Sequence, residues 1–257
     1  MTTDLAGTLL DVHQLRIDYG GLRAVDDVTL TLHEDEVLSL IGPNGAGKTS
    51  LFNSITGYVR PTHGRVVFQG CDITNFTPVQ VARMGLNRTF QKSSFLPDLT
   101  VWRNLATASM EAELHRKGNR VRSVRDPAVQ ERARGVLELI GLQTGSKVLA
   151  RNLPYGAQRR LGIGLALCME PVVLLLDEPC AGMNAAEIEE LLHLFNELRH
   201  RQMSMVVVEH QMRFVMGISD RVMVLHHGSK LSEGNPAEVT SDPQVIEAYL
   251  GSQRGTG

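Results

Sequence analysis

Apolar residues recur with several distinct rhythms along this chain, and each rhythm predicts a different kind of element. In Val12-His13-Gln14-Leu15-Arg16-Ile17 and Val28-Thr29-Leu30-Thr31-Leu32 polar and apolar positions alternate, which suits half-buried antiparallel strands. Arg65 to Gln69, bracketed by Gly64 and Gly70, predicts a further short strand. Val37 to Ile41, Val172 to Leu176 and Met205 to Val208 are almost unbroken apolar runs. Runs of this length fit strands covered on both faces. Val222 to Leu225 follows, with a turn at His227-Gly228.

Helical spacing governs the middle. Thr100 predicts the cap of a helix running through Met110, and Asp126-Pro127 places a capping carboxylate before a first-turn proline. Behind that start, Val129, Ala133, Val136, Leu137 and Ile140 share one helical face until Gly141 ends the run. A third helix is expected after Gly156. Residues 93 to 168 thus read as a helical insertion. Downstream, a helix from about Ala185 to His200 separates two buried strands, and a short one runs from Asp242-Pro243 through Leu250. Strand–helix alternation on both sides of a helical insert predicts an α/β core with a second lobe.

Bulk composition narrows the class. With 42% hydrophobic and 21% charged residues among 257, the chain carries enough apolar surface for a folded core. A net charge of -2 argues against a dedicated nucleic-acid binder. Arg116, Lys117, Arg120, Arg122 and Arg125 crowd one stretch, which reads as a solvated loop between helices. The three cysteines, Cys71, Cys168 and Cys180, form no CxxC pair, so neither a disulfide framework nor a zinc site is expected, and a reducing compartment fits. The N-terminus lacks the basic and apolar regions of a signal peptide. No apolar run approaches the roughly 18 residues that span a bilayer, so any membrane role is expected to come from a partner.

Candidate chemistry begins at Gly42-Pro43-Asn44-Gly45-Ala46-Gly47-Lys48-Thr49, followed by Ser50, which satisfies the P-loop pattern GxxxxGK[ST]. Glycines at 45 and 47 let the backbone wrap a phosphate with its N–H groups inward, at the start of a helix whose dipole favours negative charge. Lys48 is positioned to reach terminal phosphates, and the Thr49 hydroxyl to ligate magnesium. The pattern follows a buried strand and opens a helix-like stretch, the context a phosphate cradle requires. Asp177-Glu178 closes the second buried strand, at the carboxyl end of the sheet where ligands collect. Asp177 is assigned to the magnesium shell and Glu178 to general-base work on an attacking water. Gln91, where core meets insert, is expected to reach the γ-phosphate through magnesium or water, and His210, behind a buried strand, by a hydrogen bond.

The order of these motifs resembles the ATP-binding cassette family over nearly the whole chain. Carrying the resemblance are Tyr19, residues 42 to 49, Gln91, the segment Leu153-Pro154-Tyr155-Gly156-Ala157-Gln158, Leu174 to Pro179, and His210. It implies a P-loop NTPase fold: a RecA-like α/β core, an antiparallel β subdomain and a helical subdomain. The chain from 8 to 257 would form one ATPase domain, its core 8–92 and 169–257 and its helical part about 93–168. The cofactors implied are ATP and Mg2+, with Tyr19 stacked on adenine and magnesium held by Thr49, Gln91 and Asp177. The 153–158 segment looks like the family signature, which reaches across a dimer to the ATP of the other subunit.

A finer resemblance is to the ATPase subunits of branched-chain amino-acid importers, carried by Tyr19 to Val25, Thr56 to Thr62, Gly85 to Gln91, Ala181 to Asn184, Val208 to His210 and Ala248 to Gly251. Lipopolysaccharide-export ATPases and urea or amide importers share part of this pattern. The partners implied are a sister or identical ATPase, two membrane permeases and, indirectly, an external binding protein, with no nucleic acid. The location implied is the cytoplasmic face of the inner membrane, with a permease helix seated beside Gln91 on Lys92 to Phe95. One departure matters. Pro154 occupies the usual serine position and offers neither hydroxyl nor N–H, while Gly156 is expected to keep donating from the helix start. The trans site is therefore expected to be weakened, which favours a heterodimer and leaves open an ATP-dependent clamp that barely hydrolyses. A cassette acting on ribosomes or nucleic acid is the remaining alternative, and it lacks a basic arm here.

Overall fold

A computed structural model of the chain describes residues 7–89, 95–117 and 123–253. Two sheets organise it. The first has the order β2-β1-β4-β5, built from β1 (Thr8–Tyr19), β2 (Leu22–His33), β4 (His63–Phe68) and β5 (Cys71–Asp72), all antiparallel. The second is ordered β10-β9-β3-β8-β7-β6, from β3 (Val37–Ile41), β6 (Leu86–Arg88), β7 (Val173–Asp177), β8 (Ser204–Val208), β9 (Arg221–His226) and β10 (Ser229–Gly234). Its strands β9 to β6 are parallel and β10 is antiparallel at the edge.

Every residue of β3, β7 and β8 is buried, because each strand serves two cores at once. Leu38, Leu40, Val173, Leu175, Val206 and Val208 pack toward the antiparallel sheet and helix α1 (Lys48–Ile55). Val37, Leu174, Leu176, Met205 and Val207 face the opposite side, toward the helices. That second core gathers α3 (Val101–Lys117), α4 (Pro127–Leu139), α5 (Tyr155–Cys168) and α6 (Ala185–His200), with Phe195 edge-to-face on Phe214 at 5.0 Å. The remaining helices are short: α2 (Pro78–Arg83), α7 (Met212–Ile218) and α8 (Pro236–Ser241), with α9 (Pro243–Gln253) closing the described chain. Among the described residues no helix is long and apolar enough to cross a membrane.

Several expectations are met and others corrected. Asp126 accepts from the Ala128 amide at 3.0 Å and Pro127 opens α4. Thr100 does cap α3 through the Arg103 amide, but the helix continues past Met110 to Lys117. Several of the charged residues that hid this extension are paired. Glu113 is fully buried and is held by Arg132 at 2.7 Å and Arg116 at 3.0 Å. The third helix starts at Tyr155, one residue before Gly156, with Pro154 at its cap. Arg120 and Arg122 of the basic stretch lie outside the described residues. Cys71 is exposed while Cys168 and Cys180 are buried; burial pushes the Cys168 thiol up to about 11.

Candidate functional site

Three adjacent parallel strands deliver the candidate residues. Leu40 of β3 pairs with Val208 of β8, and Val208 with Asp177 of β7. The segments that follow at 42–49, 178–184 and 209–211 therefore emerge from one edge of the sheet, the carboxyl edge where α/β folds bind ligands.

The turn at 42–47 depends on conformations open to glycine. Gly47 caps α1 with φ 101°, and a Cβ there would lie 2.3 Å from the Ala24 carbonyl oxygen. At Gly42 a Cβ would lie 2.1 Å from the carbonyl oxygen of Leu225. The first turn of α1 carries no acidic side chain, so its positive dipole end remains available to an anion. Lys48 Nζ donates to the carbonyls of Gly42 at 2.6 Å and Pro43 at 2.9 Å. Burial pulls its pKa below the ordinary lysine value, opposed by the nearby carboxylates of Glu178 and Asp177.

Around this turn lies a cavity of about 510 Å3, lined by Tyr19, Leu22, Arg23, Ala24, residues 44–50, Glu178, His227 and Gly228. The structure thus brings Tyr19, Asn44, Gly45, Ala46, Gly47, Lys48, Thr49, Ser50 and Glu178 together, although Tyr19 ends β1 in the other sheet. Its lining of amides, one ammonium, hydroxyls and an aromatic ring matches a nucleotide with an acidic tail.

The acidic pair has divided surroundings. Asp177 is buried, and Arg88 Nη2 donates to its Oδ2 at 2.6 Å. Its Oδ1 is buried with no hydrogen-bond partner among the described residues. A carboxylate oxygen left in that condition is costly and fits a hard cation or its bound water, the preference of magnesium. Glu178 has φ 48°, a left-handed conformation uncommon for a residue with a side chain. Its amide donates to the Val208 carbonyl at 2.9 Å and its carbonyl accepts from the Ala181 amide at 3.1 Å.

The sequence alone assigns Arg88 no role beyond its place in the stretch Gly85 to Gln91. Its Nη1 also donates to Asn53 Oδ1 at 2.7 Å, and its guanidinium sits 5.5 Å from the Phe52 ring centroid. Truncating it strands a buried carboxylate. Arg88→Met is expected to lower unfolding free energy by about 3 kcal/mol, read as a reduced urea midpoint. An unchanged midpoint would mean that the ion pair does not hold Asp177.

Two histidines change places. His210 follows β8, as expected, but its side chain is 53% exposed, lies outside the lining of the cavity, and has its Nδ1 3.7 Å from Glu209 Oε2. His227, read from sequence only as a turn residue, does line the cavity. Glu209 is fully buried. It accepts from the Cys180 amide through Oε1 and from the His210 and Gln211 amides through Oε2. Nothing in its residue type separated it from a surface glutamate.

The 153–158 segment departs from expectation at Gly156. Its N–H is committed within this chain, donating to Glu187 Oε1 at 2.9 Å, so that bond must be exchanged before the amide can serve a partner's nucleotide. Tyr155 donates its hydroxyl to the Ala181 carbonyl, and Gln158 Nε2 donates to that of Leu153. Leu153 and Ala157 are buried, and Pro154 makes no side-chain cap. Gln91, with Lys92, lies outside the described residues.

A family model described as "ABC transporter" matches residues 25–181. The high-affinity branched-chain amino acid transport ATP-binding protein LivG of Salmonella typhimurium is 42% identical over 95% of this chain and 98% of its own length. The chain belongs to the ABC transporter family. As an ABC ATPase it binds and hydrolyses ATP. A second model, "Branched-chain amino acid ATP-binding cassette transporter", matches residues 229–254 of this cassette. BraF, the corresponding ATP-binding protein of Pseudomonas aeruginosa, is 38% identical over 95% of this chain and 98% of its own. The ADP conformation of MJ1267, an ATP-binding cassette of an ABC transporter, superposes with a TM-score of 0.84 at 30% identity, covering 95% of the cassette and 99% of that chain.

Proposed function

We propose that this cassette energises import of branched-chain or closely related amino acids from the cytoplasmic face of the inner membrane. The end-to-end 42% identity to LivG carries the reading, and the match at 229–254 supports it. Two ATPase subunits, identical or sister, would close on two nucleotides and drive two permeases supplied by an external binding protein. The -2 net charge disfavours a nucleic-acid partner.

Within the cavity Tyr19 stacks on adenine, the amides of 44–50 wrap the phosphates, and Lys48 gives up its bonds to Gly42 and Pro43 for the terminal phosphates. Thr49, Asp177 and Gln91 would hold magnesium, which would supply positive charge against the charge developing on the phosphates. Glu178 accepts a proton from the attacking water. His210, being exposed, is oriented toward the γ-phosphate only as the dimer closes. The 153–158 segment meets the nucleotide of the partner.

Reconstitution of the subunit with its permeases, sister ATPase and binding protein in liposomes tests the substrate. ATP-dependent uptake of labelled leucine, isoleucine or valine is expected. Uptake of urea or amides in their place would replace the substrate class.

A further inference from the structure

The hydroxyl of Tyr155 has every bonding direction used. It accepts from Arg159 Nε at 3.0 Å and Nη2 at 2.7 Å, and donates to the Ala181 carbonyl at 2.9 Å. The same guanidinium lies 5.2 Å from the ring centroid. The ring also meets Gly182, which has φ 77°; a Cβ there would lie 3.2 to 3.4 Å from ring and hydroxyl atoms. Glycine therefore leaves room for the hydroxyl end of the ring against the backbone at 182. Such a set of contacts is unusual for a side chain that remains 44% exposed.

The residue at the other end of this clasp explains its value. The Ala181 amide donates to the Glu178 carbonyl at 3.1 Å, so a single residue links the Tyr155 anchor to the acidic residue behind β7. Glu178 holds a left-handed backbone that surroundings must enforce. The Gly156 amide, one residue on, donates to Glu187 in the first turn of α6; that bond is separate from the Tyr155 clasp, which stays intact when the Gly156 amide is given to a partner's nucleotide. The first turn of α5 and the loop carrying Glu178 thus form one mechanical unit.

We infer that Tyr155 is a positioning residue for ATP hydrolysis: through Ala181 and Gly182 it holds the backbone of Glu178 and ties it to the first turn of α5. The inference rests on the proposed roles of Glu178 as base and of 153–158 as the segment meeting the partner's nucleotide. Under those roles, nucleotide bound across the dimer steadies the base that serves the chain's own nucleotide. Hydrolysis at one site then senses occupancy of the other.

Tyr155→Phe in the full-length protein removes the hydroxyl and keeps the ring. Turnover is expected to fall about fivefold to tenfold, the scale of one well-made hydrogen bond. KM for ATP should stay within about twofold, and the Hill coefficient should drop toward one. Gly182→Ala, which presses a methyl onto the ring, should reproduce the fall in kcat. In a Glu178→Gln background Tyr155→Phe should cost almost nothing more, because both changes act on the same group. Unchanged turnover in Tyr155→Phe, a loss that adds in full to that of Glu178→Gln, or a KM that rises in step with the fall in kcat would each overturn the inference. Glu178→Gln turning over at the parental rate would instead strike the base assignment itself.

Discussion

Glu178→Gln is expected to lower steady-state ATP hydrolysis by about a thousandfold, within the range lost when a positioned general base is removed. Glutamine keeps the shape and can still orient a water but cannot take its proton. The Lys48 bonds run to the carbonyls of Gly42 and Pro43 and the amides of 44–50 are unchanged by the substitution, so nucleotide affinity should change by no more than a few fold. Phosphate release and nucleotide binding on the same preparation separate the two effects, and size-exclusion chromatography with Mg-ATP should reveal a trapped dimer. Hydrolysis within a factor of two of the parent would remove Glu178 from the mechanism.

Lys48→Ala should weaken ATP binding by roughly 10- to 100-fold, the scale of one or two hydrogen bonds to a charged group. The loss is tempered because Lys48 already donates to Gly42 and Pro43, so nucleotide binding exchanges bonds rather than adding them. Truncation also leaves those two carbonyls without their donor. In the parent protein the ammonium is the form that attracts phosphate, and burial depresses its pKa from 10.5. Affinity should accordingly decline with rising pH earlier than an ordinary lysine would dictate. Isothermal titration across alkaline pH checks both statements; full affinity in Lys48→Ala would take the phosphates away from this turn.

The parts legible in sequence were those where one physical demand dominates. Val37 to Ile41 and Val173 to Leu176 had to be almost wholly apolar, and the helix expected from about Ala185 to His200 followed from its place between two buried strands; its Asn184 cap went unread. Short elements escaped because their stability is borrowed. β6 has three residues and is held by β7, and β10 is largely polar because it is an edge strand. α2 has only six residues, although its Thr77–Gln80 capping box was there to be read. At the site, spacing found Lys48 and Glu178 because a phosphate cradle constrains local sequence. It could not find Arg88, whose partner is 89 positions away, nor distinguish His227 from His210, because which histidine faces a cavity is settled by strand-end geometry. The commitment of the Gly156 amide to Glu187 was hidden for the same reason.

Glu209 spends one carboxylate oxygen on the loop behind β7 and the other on the segment behind β8. With no solvent to take up slack, neither stretch is at liberty to drift without dragging its neighbour. Natural variation should respect that bond: where descent lengthens or reroutes one of the two, its companion ought to change in step, so that they are inherited as a matched pair.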